Sequence, residues 1–413
     1  MNNFPPGQSW SKNVEAVGYC DFDGRPAFKM ALHQVGDRWF MYVGHLWHRG
    51  WSVLDVTDPA DPKHLRYIDG PDNTWTIQVQ VADGLMITAL EGIVPVWGGD
   101  PDQANEEGVL IWSLDDPENP VQIGHYKTGG GGTHRNFYDG GTYMHLSAIA
   151  PGYSRNIYQI IDIEDPAKPV EVGRWWMDGQ WTDGGEAGQP RSVWLHGGPY
   201  VVGERAYLAY GEGGFVILDI SDVAKPKQIG QLKFSPPFNP NVGVHTAVPI
   251  LDRNLVVVNS EAIKEDCDEP LNFIALVDIG DETDPRLISL MPLPEPPADA
   301  PFENFCAHGG RFGPHNQHQH QHQDVLLKNN NLLFMTYFNA GLRIYDIADA
   351  TQPREVGFFL PPDPQERRGM LPTKLVTQSE DVIVDARGYI YISDKNHGIY
   401  ILKSSDEIYA NSS

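Results

Sequence analysis

Four histidines stand in similar local phrases, His134 in GTHRN, His196 in WLHGG, His245 in GVHT and His315 in GPHN. His196 is followed 16 residues later by Glu212, and His245 at the same offset by Glu261. Glu91 and Glu380 hold comparable places in two further stretches. Neutral imidazoles from neighbouring segments suit a borderline divalent metal, Fe or Mn first, with Cu or Zn as alternatives. Carboxylates behind them can accept the second ring N–H and fix each tautomer. The pattern therefore assigns His134, His196, His245 and His315 as metal ligands, with Glu91, Glu212 and Glu380 supporting them. A lone strand histidine is more often a packed core residue. Four at matching positions shift the balance toward a metal site.

Other side chains could complete such a site. Glu261 is placed as a general base, and Arg135, beside His134, either pairs with a substrate carboxylate or neutralises the glutamates. The tract HNQHQHQHQ would point His318, His320 and His322 to one side of an extended strand. Offset alone favours His322 as the ligand from this stretch. The Gly-x-His turn shared by GVHT and GPHN favours His315, leaving His318 as a proton shuttle or alternate ligand. His320 and His322 also read as an exposed loop that binds metals adventitiously. Among the tryptophans, Trp47 and Trp181 lie in loops flanked by Gly or His and are expected to touch a ligand, the others to pack between sheets. TGGGGT (Thr128–Thr133) lacks the Lys of a phosphate loop, and no GxSxG occurs, so covalent serine or cysteine chemistry is disfavoured.

The elements that must position these residues are written as a repeat. An apolar triplet, an Asp, an acidic turn and a Pro seven residues after the Asp recur at Asp55, Asp162, Asp219, Asp278 and Asp346, with Ser113 replacing Asp in a sixth copy. Successive marks lie 58, 49, 57, 59 and 68 residues apart, the size of a four-stranded propeller blade with variable loops. Residues 196–230 show four short Val-, Ile-, Tyr- and Leu-rich runs divided by Gly and Pro. The repeated Asp reads as a turn residue, not a catalyst. GIYILKSS at 398–405 matches GLRIYDIA but lacks an outer strand, which VEAVGYC at 14–20 could supply. The expectation is an all-β, seven-bladed β-propeller occupying residues 1–413 as one domain, with the N-terminal strand closing the last blade.

The VILDI and ALVDI phrases resemble those of the LVIVD-repeat propellers, which implies the fold and little about function. One histidine per blade is similar to the four-histidine iron site of carotenoid-cleaving oxygenases, and to the manganese site of oligogalacturonate lyases. That likeness implies a metalloenzyme. It brings no shared sequence phrases with it.

Net charge −25, from 55 acidic and 30 basic residues, argues against nucleic-acid or anionic-membrane partners. No 18-residue apolar run and no signal-like start is present, and three cysteines without CxxC spacing do not make a disulfide framework. Cytoplasmic is the default expectation. The functional expectation is a metal-dependent enzyme acting on a small organic molecule, narrowly an oxidoreductase or oxygenase. A metal-dependent lyase, isomerase or hydrolase and a non-catalytic scaffold are the alternatives.

Overall fold

The computed structural model of the chain describes residues 4–188, 193–236 and 238–410. Among them the strands form five four-stranded antiparallel sheets and one nine-stranded sheet. The unit read most closely from sequence folds as Tyr200–Val202, Arg205–Ala209, Phe215–Asp219 and Lys227–Leu232, four consecutive strands paired in order. The nine-stranded sheet departs from the expectation of separate blades. It holds two such meanders, Val79–Tyr126 and Gly132–Trp175, joined where Gly132 pairs with Glu91, and the short strand Thr74–Trp75 pairs beside that junction with Glu91 and Gly92.

The repeated Asp forms the expected turn. Its carboxylate accepts the N–H two residues on, at 2.9 Å in Asp55–Thr57, 2.8 Å in Asp162–Glu164 and 2.9 Å in Asp346–Ala348. Ser113 does the same with Asp115 at 3.1 Å, so the hydroxyl substitutes for the carboxylate. Several of these turns also seat the preceding unit. A Cβ on Gly173 would lie 1.8 Å from the Val223 carbonyl oxygen, and one on Gly18 would lie 2.0 Å from that of Pro59. The second contact brings the N-terminal strand Val14–Cys20 against the first repeat turn. That strand pairs antiparallel with Ile399–Ser404. Sequence reading did not find the extra strand Trp10–Lys12, which pairs with Arg354–Leu360. Nor did it find that His315–His318 approaches Leu332–Thr336 through a few backbone bonds, not a regular strand.

The core lies between adjacent sheets. Leu208, Val216 and Leu218 of one unit meet Ala247, Val256 and Val258 of the next, all at 1% exposure or less. Burying each of the leucine and valine side chains contributes about 1.5–3 kcal/mol, and none carries a polar atom to satisfy.

Candidate metal centre

The first strand of several units is interrupted by a bulge at the same level, and the chemistry sits in those bulges. Register shifts between Thr133 and Arg135, between Val242 and Thr246, between Ser379 and Val382, and between Ala27 and Met30. These breaks contain His134, His245, Glu380 with Asp381, and Phe28 with Lys29. A bulge twists the strand and re-aims a side chain that alternation would send elsewhere. His196 arrives from a loop, pinned by its backbone N–H to the Ala209 carbonyl at 3.0 Å, and His315 by its N–H to Thr336 at 3.0 Å.

The four imidazoles form a row. Ring centroids are 4.7 Å apart from His134 to His196, 4.8 Å from His196 to His245 and 4.8 Å from His245 to His315. Glu261, at the end of Leu255–Glu261, reaches into this row. Its carboxylate lies 3.1 Å from His196 Nε2, 3.6 Å from His245 Nε2 and 3.7 Å from His315 Nε2. The compact donor group is therefore His196, His245 and Glu261, whose ligand atoms lie within 4.8 Å of one another. It holds two of the four expected histidines, with the Glu261 side chain between the rings. His134 flanks the group, its Nδ1 bonded to Glu91 at 2.7 Å. His315 also flanks it, its Nδ1 2.7 Å from the Glu380 carbonyl and 3.1 Å from that carboxylate.

Two observations suit this group to a cation. Nδ1 of His196 and Nε2 of His134 are buried without a hydrogen-bond partner among the described residues, and His196 Nε2 has only the Glu261 carboxylate in reach, at 3.1 Å. A buried ring nitrogen without a partner is costly unless something fills the gap. Burial also holds His196, His245 and His315 well below the ordinary histidine range, with neighbouring rings or the Arg135 charge adding to it, so they stay neutral ligands. Burial raises the Glu261 carboxyl, and the Arg311 and Arg135 charges pull it back toward ionisation.

Basic residues that sequence reading left unassigned complete the site. Arg311 donates to Glu261 Oε1 at 3.3 Å, Lys395 pairs with Glu380, and Lys29 donates to Asp381 at 2.7 Å. Arg311 is braced by a disulfide between Cys267 and Cys306, whose loops exchange the Asp266 N–H to Gly310 bond at 2.8 Å. Cysteine spacing gave no sign of that pairing, since the partners are 39 residues apart in the chain. Arg135 is buried, its Nη2 3.0 Å from His245 Nε2 and 3.4 Å from His315 Nε2. Above these groups opens a cavity of about 510 Å3, walled by Trp75, Trp97, Trp194 and Phe28.

Four expected site residues stand elsewhere. His318 bonds the Leu327 carbonyl through Nε2 at 2.9 Å and accepts the Val384 N–H at Nδ1, which uses both nitrogens structurally. Glu212 sits in the short turn Gly211–Gly213 and bonds no imidazole among the described residues. Trp47 stacks behind Trp97 at 5.8 Å and donates its indole N–H to the Lys395 carbonyl, bracing the wall without forming it. Trp181 is 41% exposed and stacks on Tyr153 in an outer loop. Trp97 and Trp194 line the cavity in their place.

Fold and site together define a β-propeller-like protein with a His/Glu group able to bind a metal. Residues 153–176 and 187–233 match the LVIVD repeat. No curated protein matches the chain in sequence. In structure it is similar to the periplasmic gluconolactonase of Pseudomonas aeruginosa, at 11% identity and a TM-score of 0.53, covering 89% of this chain and 91% of that one. It is also similar to the computationally designed Ika8 protein, at 9% identity and a TM-score of 0.48, covering 94% and 98%. The gluconolactonase likeness is one of fold alone. No helix among the described residues is long and apolar enough to cross a membrane.

Proposed function

We propose that this chain is a metal-dependent enzyme acting on a small organic molecule in the central cavity of a single seven-bladed propeller. The blade count treats the nine-stranded sheet as two meanders sharing one backbone pair. The observation that carries the functional reading is the His196–His245–Glu261 group, in which His196 keeps a buried nitrogen without a partner. Those three side chains would hold a divalent ion, Fe, Mn, Cu or Zn by donor type, which supplies a Lewis acid at the cavity floor.

The chain's own residues prepare that floor. Glu91 takes the Nδ1 proton of His134 and the Glu380 carbonyl takes that of His315, so each ring presents an unprotonated Nε2 inward. Arg311 and Arg135 bring positive charge to the floor, able to stabilise an oxygen that becomes negative during hydrolysis or elimination, while Lys395 is paired with Glu380. That lining favours a hydrolase or lyase. The gluconolactonase of similar fold is a precedent for lactone substrates in such a ring. A second reading, an oxidoreductase, draws on the donor set itself, since two histidines and one carboxylate also suit non-haem iron. The expectation of a cytoplasmic location gives way to an oxidising compartment, where the Cys267–Cys306 disulfide would form and persist.

The test is elemental analysis of protein purified without a histidine tag, with hydrolysis of lactones and carboxylic esters assayed before and after a chelator. The expectation is close to one divalent ion per chain, with activity lost on chelation and restored by that ion. Absence of metal together with chelator-resistant turnover overturns the reading, and iron with substrate-dependent oxygen uptake selects the second one.

A further inference from the structure

We propose that the cavity selects a small organic anion with a flat apolar body, an aromatic carboxylate being the simplest case. This deepens the reading of the cavity as an active site and rests on it for the location. The first observation is a reversal of charge. The chain carries a net −25, yet the cavity is lined by five basic residues and three acidic ones. Two of the three carboxylates are already engaged, Glu91 with His134 and Glu380 with Lys395. Glu261 alone is left to answer two buried guanidiniums while also facing His196.

Arg135 is the sharper case. It is 5% exposed, and among the described residues no carboxylate lies in ion-pair distance of it. Its contacts are two imidazole nitrogens and Asn316 Oδ1 at 3.4 Å, and its Nε has no partner. A buried cation without a counter-ion is expensive and calls for an anion. At the rim, Arg155 and Lys264 are exposed and add positive charge that draws anions inward.

The second observation concerns the rest of the ligand. The buried cations lie against aromatic rings, Arg311 at 5.0 Å from the Trp97 ring and Arg135 at 5.9 Å from that of Phe28. A carboxylate bound to either guanidinium therefore brings its attached body beside Trp97, Phe28 and Trp194. Flat apolar surface gains most from such walls. A polyhydroxylated sugar would leave hydroxyls facing Ile77, Ile149 and Val242 on the same lining.

The experiment compares 2-naphthoate with neutral 2-naphthamide and with glucono-δ-lactone, by calorimetry and quenching of tryptophan fluorescence. Full-length protein is used both as purified and after chelation. The expectation is at least tenfold tighter binding of naphthoate than of naphthamide, retained after chelation and weakened by salt. Arg311→Gln and Arg135→Gln should each remove most of that preference. Thermal melting reports whether each variant folds, and the salt dependence of the wild type stands if either does not. Equal binding of acid and amide, or binding of the lactone alone, overturns the proposal. Chelation keeps the two readings separable: acid preference in a protein that never holds metal sinks the metalloenzyme and spares this inference, and a metal-loaded protein blind to the acid does the reverse.

Discussion

Two groups of histidines occupy this chain, and they teach opposite lessons. The tract from His318 to His322 is the denser in sequence and looks the more metal-like. In the folded chain His318 gives both nitrogens to backbone groups, and the main-chain N–H of His322 bonds His320 Nδ1 at 3.1 Å. The other group is scattered over 181 residues from His134 to His315, yet its rings line up at 4.7–4.8 Å spacing, with unpartnered nitrogens on His134 and His196. Convergence of rings on one carboxylate, not local density, separates the candidate ligands from the structural rings. Both nitrogens of His318 are spent on backbone groups, whereas His245 shares its own with the Thr246 hydroxyl and the Arg135 guanidinium.

The largest effect that would break this contrast is loss of metal. His196→Ala or Glu261→Gln should abolish stoichiometric metal and turnover together, whereas His320→Ala should leave both as in the parent. Metal analysis of the three purified variants decides it. Retention of metal in His196→Ala, or its loss in His320→Ala, would reverse the assignment of the two groups.

A smaller effect concerns the flank of the row. His134 lies outside the compact donor group, but Glu91 fixes its tautomer at 2.7 Å. Glu91→Gln should weaken metal affinity by about 10–100-fold if His134 contributes to the site, the usual cost of removing a carboxylate behind a ligating ring. Competition with a metal-sensitive dye gives the affinity. An unchanged value would confine the site to His196, His245 and Glu261.

How far the sequence foretold these positions depends on what each rests on. The repeat turns were legible because Asp and Pro act on their own backbone neighbours, as the Asp55–Thr57 and Asp162–Glu164 bonds show. Val14–Cys20 was legible because a propeller missing one outer strand needs a closing partner. The histidine row was legible because the units can be aligned on one another. Lys29, Arg311 and Lys395 were not, since bulges and loops aim them and strand alternation says nothing about either. The disulfide was hidden for a similar reason, as two loops distant in sequence meet only in the folded chain. Trp47 and Trp97 are neighbours in one stack, and flanking residues could not tell which of them faces the cavity.

The smallest effect sharpens the comparison from the structural side. His45 is buried with Nδ1 3.1 Å from the Pro26 carbonyl and Nε2 2.8 Å from Ser52 Oγ, and His145 with Nδ1 2.8 Å from the Tyr158 hydroxyl. Burial depresses both rings to about 3 from the ordinary 6.5. The unfolded chain binds these protons near 6.5 and the folded chain does not until far lower pH. Their contribution to stability is therefore fully present above pH 6.5 and declines as pH falls toward 3. Each ring should cost about 1.4 kcal/mol per pH unit through the middle of that window. Urea unfolding at intervals from pH 7.5 to 4.5 measures the slope, and His145→Gln should flatten it by one proton without altering metal content. If the variant keeps the parental slope, His145 titrates alike in both states and is not held neutral by burial. If it loses metal, the division between structural and ligating histidines is drawn in the wrong place.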